Sequence, residues 1–149
     1  MRLPGFAWPL TGLTILLVLL GASCVSPPPS GRPVLMTVTA YCPCGECCSW
    51  ERNWLFRPVV SEGQSRGEPK AVGVCADGTR AVNGTLAADT RYYPFGTRIY
   101  VPGYGQGVIH DRGSAITGPG RIDIFYKSHR QALRWGRRTL TVYVEENQP

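Results

Sequence analysis

Three aspartates set into short apolar runs are the residues of this chain best placed to do chemistry. Asp89 follows Leu86-Ala87-Ala88, Asp111 follows Val108-Ile109-His110, and Asp123 lies inside Arg121-Ile122-Asp123-Ile124-Phe125-Tyr126. A carboxylate in such a run must be paired, hydrogen-bonded or used, because an unpaired charge away from water is costly. Three in one compact domain point to a site, where burial or a like charge can hold one of them protonated. The period of two sends Ile122, Ile124 and Tyr126 to one face of their strand and Asp123 to the other, beside Arg121 and Phe125. Asp123 can therefore line a groove next to a strand end, and Asp111 stands ahead of the Arg112-Gly113-Ser114 turn. Asp89 before Thr90 also reads as a turn cap.

The second reactive group is sulfur. Cys42-Pro43-Cys44-Gly45-Glu46-Cys47-Cys48 forms a dense cluster, and Cys75 ends the run Ala71-Val72-Gly73-Val74. In an exported protein such residues are expected to form disulfides, which makes Cys42, Cys44, Cys47, Cys48 and Cys75 the candidates, with the pairing open and one thiol left over. A zinc site built from Cys42, Cys44, Cys47 and Cys48 is the rival reading. Cys44-Gly45-Glu46-Cys47 also has redox spacing, but the strand and helix context which that chemistry needs is not legible. The reading adopted is a disulfide framework with no cofactor and no metal.

These residues need elements to hold them. Residues 1–24 carry an early positive charge, Arg2, then an apolar run from Leu10 to Leu20 that ends in Gly21-Ala22-Ser23-Cys24, the pattern of a secretory signal. The small residues before Cys24 point to lipidation of that cysteine, with simple cleavage or a retained anchor as alternatives. Residues 25–34 are Pro-rich and read as an extended tether. Residues 35–146 form the domain. Its strands are expected at Leu35 to Tyr41, Leu86 to Ala88, Thr97 to Val101, Gln106 to Asp111, Ile122 to Tyr126 and Thr139 to Val144. Ser128 to Gly136 reads as one short helix with a Ser128/Gln131 capping box and a closing Gly136. Residues 49–70 show no clean period and read as an inserted surface loop. Its Trp50, Trp54, Leu55 and Phe56 are apolar enough to pack as a lid over the domain, and the aromatic faces among them can instead stack on sugar rings.

The chain of 149 residues offers one ordinary domain at most, and Gly 18 with Pro 13 favours a mainly β fold rich in turns. Sixteen Lys and Arg against ten Asp and Glu leave a formal charge of +6, suited to an anionic partner such as a cell wall. The basic residues are scattered and form no nucleic-acid motif, so no nucleic-acid partner is expected.

Thr39-Ala40-Tyr41 before the cysteines, the run GTLAADTRYYPFGTRIYVPGYGQGVIHDRGSAITG, then RIDIFY and ALRWGRRTLTVYV, together resemble the three-aspartate (3D) domain of bacterial cell-wall lytic transglycosylases. That domain is related to the barrel of membrane-bound lytic transglycosylase A. The resemblance runs from about Leu35 to Val144, broken by residues 49–70. It implies an all-β fold, a six-stranded double-psi β-barrel. It implies cleavage of the β-1,4 bond between N-acetylmuramic acid and N-acetylglucosamine to leave 1,6-anhydro ends, with Asp123 as acid/base, Asp111 beside it and Asp89 in support. A non-catalytic, expansin-like glycan-binding barrel is the alternative that the same fold permits. The expected partners are peptidoglycan glycan strands and, through the lipid on Cys24, a membrane of the bacterial cell envelope, with the protein a monomer.

Overall fold

The computed structural model describes residues 31–145. In chain order its elements are β1 (Arg32–Tyr41), α1 (Gly45–Cys48), β2 (Trp50–Arg52), β3 (Pro58–Val60), β4 (Thr85–Ala88), β5 (Arg98–Val101), β6 (Gly105–Asp111), β7 (Arg121–Phe125), α2 (His129–Trp135) and β8 (Arg138–Val144). Six strands close into a barrel in the order β1-β7-β4-β6-β5-β8. Closure leaves these strands no open edge. The β1–β7 and β4–β6 pairs are parallel, and the other ladders are antiparallel. The expected mainly β fold with a six-stranded barrel is the one observed.

Strand alternation builds the interior. Met36 and Val38 of β1, Leu86 and Ala88 of β4, Ile99 and Val101 of β5, Ile109 of β6, Ile122 and Ile124 of β7, and Val142 and Val144 of β8 form one buried cluster. Trp135 closes it from α2, donating its indole N–H to the Val38 carbonyl at 3.3 Å while Arg138 stacks on its ring at 4.1 Å. Packing between β4 and β6 is tight enough to exclude a side chain at Gly107, where a Cβ would lie 2.6 Å from Leu86 Cγ.

One irregularity matters for function. Along β4 and β6, Leu86 pairs with Ile109 but Ala87 pairs with Asp111, so His110 is an extra residue on β6. A bulge of this kind bends a strand and re-aims the side chain that follows it.

Several expectations need correction. The first strand begins at Arg32, and Pro33 pairs with Tyr143, so the end of the 25–34 tether is part of the barrel. Residues 49–70 are not a structureless loop, because β2 and β3 pair as an antiparallel hairpin. Trp54 and Phe56 stand 85% and 78% exposed near its tip rather than packed on the barrel. A single helical turn, α1, accompanies the expected helix α2. Ser128 does cap α2, but through its backbone carbonyl, which accepts from Gln131 and Ala132; the side-chain capping box is not formed. The signal at 1–24, its Cys24 and residues 25–30 lie outside the described residues.

Candidate active site

Two of the three aspartates meet across β4. Ala87 pairs with Asp123 of β7 on one side and with Asp111 of β6 on the other. Without the bulge, His110 would stand opposite Ala87 and Asp111 would point elsewhere. Tyr41, Ala87 and Phe125 form a small buried cluster outside the barrel core, with the Tyr41 and Phe125 rings edge to face at 5.4 Å. Over them lies a cleft of about 310 Å³ that both carboxyl groups line. Further lining comes from the segment after β1, including Cys47 and Cys48, from residues 70–74, and from Arg112, Gly113, Ser114 and Ile116 after β6.

Asp123 is the perturbed group. Burial pushes its pKa up to about 6, the Asp111 charge adds to the rise, and the Thr39 hydroxyl and Arg121 counteract both. Thr39 sits opposite Asp123 in the β1–β7 register. The Oδ1 atom of Asp123 is shielded from solvent and has no hydrogen-bond partner, which penalises its ionised form.

Asp111 is held in one orientation by three donors. The Tyr41 hydroxyl donates to Oδ2 at 3.1 Å, and the Ala76 and Arg112 amides donate to Oδ1 at 3.0 and 2.9 Å. Burial, reinforced by the Asp111 charge, raises the pKa of Tyr41, so that hydroxyl stays a donor. The Ala76 amide is brought there by a turn fastened to the bulge: His110 Nδ1 lies 2.6 Å from Asp77 Oδ2, and the Asp77 amide donates to the His110 carbonyl at 3.2 Å. Hydrogen bonds from Thr79 and His110 lower Asp77 to about 2. The bulge that gives Asp77 and His110 this task has no signature in strand periodicity.

Asp89 does not line the cleft. Its carboxylate accepts from Arg91 Nε and Nη2 at 2.9 and 2.6 Å and from the Gly118 amide at 2.8 Å, contacts that hold its pKa well below the usual carboxylate range. Through Gly118 it anchors the loop after β6 that carries Arg112 to Ile116 to the cleft rim.

The cysteines depart from the expected framework. Cys42, Cys44, Cys47, Cys48 and Cys75 are all free. The sulfurs of Cys42, Cys44 and Cys47 instead converge on His129 Nδ1, from the first residue of α2, at 3.6, 3.3 and 3.5 Å. Cys48, the fourth member of the zinc alternative, turns away and donates its thiol to the Cys42 carbonyl. His129 was read only as part of a helix start; 82 residues separate it from Cys47 in sequence, and only the fold closes that distance.

Residues 84–145 match the family profile described as the 3D domain, a span that contains all three aspartates. That stretch is similar to a 3D domain. The match begins immediately before β4, so β1, the cysteine cluster and the β2–β3 hairpin lie outside it, although β1 completes the barrel. Over 59 residues the chain is 37% identical to YabE of Bacillus subtilis (strain 168), a protein named for cell wall shaping, and 41% identical to the same organism's cell wall-binding protein YocH. Each match covers 40% of this chain, and only 14% and 20% of those two relatives.

Proposed function

We propose that this protein is exported to the cell envelope and acts on peptidoglycan as a lytic transglycosylase, with Asp123 as its acid/base. The observation that carries this reading is a carboxyl group with a pKa of about 6 lining a cleft, one residue across a strand from a second, firmly oriented carboxyl group. The names of the two relatives support the cell wall as its place of action.

Ordinary glycoside hydrolysis requires two carboxyl groups, one to protonate the leaving oxygen and one to activate water or attack carbon. In a lytic transglycosylase the 6-hydroxyl of the muramic sugar is the nucleophile, so a single carboxyl serves twice. Protonated Asp123 donates to the glycosidic oxygen as the bond from C1 to that oxygen breaks. The sugar's own O6 then bonds to C1, and its proton returns to Asp123, so no water is consumed. Asp111 keeps the Asp123 proton in place and stabilises positive charge that develops at C1. Asp89 acts at a distance by fixing the rim loop.

Incubating the full chain with purified sacculi and analysing the released products by mass spectrometry tests the reading. Muropeptides with 1,6-anhydro ends are the expected product, and their release is lost in Asp123→Asn. A second reading, a glycan-binding barrel without catalysis, is favoured by the cell wall-binding name of one relative. It predicts that wild type and Asp123→Asn co-sediment equally with sacculi and release nothing.

A further inference from the structure

Cys42, Cys44, Cys47 and His129 take no part in the chemistry just described, although Cys47 borders the same cleft. Their three sulfurs and one imidazole nitrogen lie within 4.8 Å of one another. We infer that they form a structural zinc site of the Cys3His type.

The distances decide between the possibilities for such a cluster. Zinc bonds of about 2.3 Å to sulfur and 2.0–2.1 Å to nitrogen, arranged as a tetrahedron, place neighbouring ligand atoms about 3.5–3.8 Å apart. The sulfur-to-nitrogen distances are 3.6, 3.3 and 3.5 Å, and Cys42 Sγ lies 3.1 and 3.7 Å from Cys44 and Cys47. A disulfide needs sulfurs about 2.0 Å apart, and pairing any two would still leave the third sulfur and the ring nitrogen aimed at the same point.

The histidine is set up for the task. His129 Nε2 lies 3.1 Å from Glu46 Oε2, so an N–H there donates to a carboxylate and leaves the Nδ1 lone pair facing the sulfurs. Ligating histidines are oriented by this kind of partner. Glu46 sits between Cys44 and Cys47 on α1, so one short turn supplies two ligands and the group that orients a third. Four protein ligands leave no open position, which marks the site as structural rather than catalytic.

The metal joins distant parts of the chain. Cys42 follows β1 directly, and His129 opens α2, four residues beyond the end of β7. Cys47 also lines the cleft. A bound ion therefore ties the cysteine segment that borders the cleft, which precedes the span of the family match, to the helix within that span that closes the barrel core. The inference is independent of what the cleft binds.

The test uses the full chain, purified from its exported location without chelator. Elemental analysis is expected to give one zinc per chain, and X-ray absorption three sulfurs and one nitrogen around it. Replacement with Co²⁺ is expected to give the strong visible bands of a tetrahedral thiolate site. His129→Ala and Cys44→Ser should lose the metal. Glu46→Gln should weaken Zn²⁺ affinity about 10–100-fold, while Cys48→Ser and Cys75→Ser should leave metal content unchanged. Absence of metal together with a disulfide among Cys42, Cys44 and Cys47 would overturn the inference, and so would a sphere of four sulfurs. The absorption measurement on wild type decides the matter even if a variant does not fold.

Discussion

At the residue scale one aspartate, Asp123, has surroundings that oppose its charge. The pKa of Asp123 rises from the ordinary 3.8 to about 6 in the folded chain, so the native state keeps a proton that the unfolded chain releases. Stability should therefore fall as pH rises from about 4 to about 6 and then level off, a trend that urea titrations at several pH values can follow. Asp123→Asn removes the buried charge and should raise stability at pH 7.5 by up to about 3 kcal/mol. A variant that loses activity while gaining stability separates a functional carboxyl group from a structural one. Asp89 makes the opposite case. Asp89→Asn weakens its tie to Arg91 and Gly118, and should speed hydrogen exchange at the Gly118 amide and lower activity about tenfold, with Asp123 still intact.

At the element scale the decisive feature is β4 between β6 and β7. Ala87 is the small residue that separates the two carboxyl groups, and it is 4% exposed beneath the cleft. Ala87→Leu should fill the cleft floor, abolishing activity for an overpacking cost of about 1–3 kcal/mol. Thermal denaturation set against product release checks this. Gly107→Ala addresses the neighbouring contact. Its Cβ would meet the Leu86 side chain at 2.6–2.8 Å, and the variant should lose about 1–3 kcal/mol in denaturant titrations.

The strands were legible because apolar residues alternate in β1, β7 and β8, and the period of two placed Asp123 on the face away from Ile122 and Ile124, as observed. The adjacency of Asp111 and Asp123 was not legible. It depends on strand order, which brings β6 and β7 to opposite sides of β4, and on a bulge at His110 that alternation cannot show. The β2–β3 hairpin escaped detection because its strands are three residues each, too short to establish a period.

At the scale of the whole molecule, the barrel supplies a rigid wall and the segments around it supply the cleft. The 3D domain match covers five of the six barrel strands, while β1 brings Thr39 and Tyr41 to the two carboxyl groups and leads into the cysteine cluster. The fourth member of that cluster was beyond a reading by spacing, since close cysteines suggest one another as partners and a histidine on a distant helix gives no sign of belonging. The central claim, that Asp123 holds and delivers the proton, is tested most directly by the pH profile of 1,6-anhydro-muropeptide release from sacculi by wild type and Asp123→Asn. Wild-type release is expected to decline as pH climbs through about 6, with none above background from the variant at any pH. Equal release by wild type and variant, or wild-type release that rises through the same pH range, would contradict the claim.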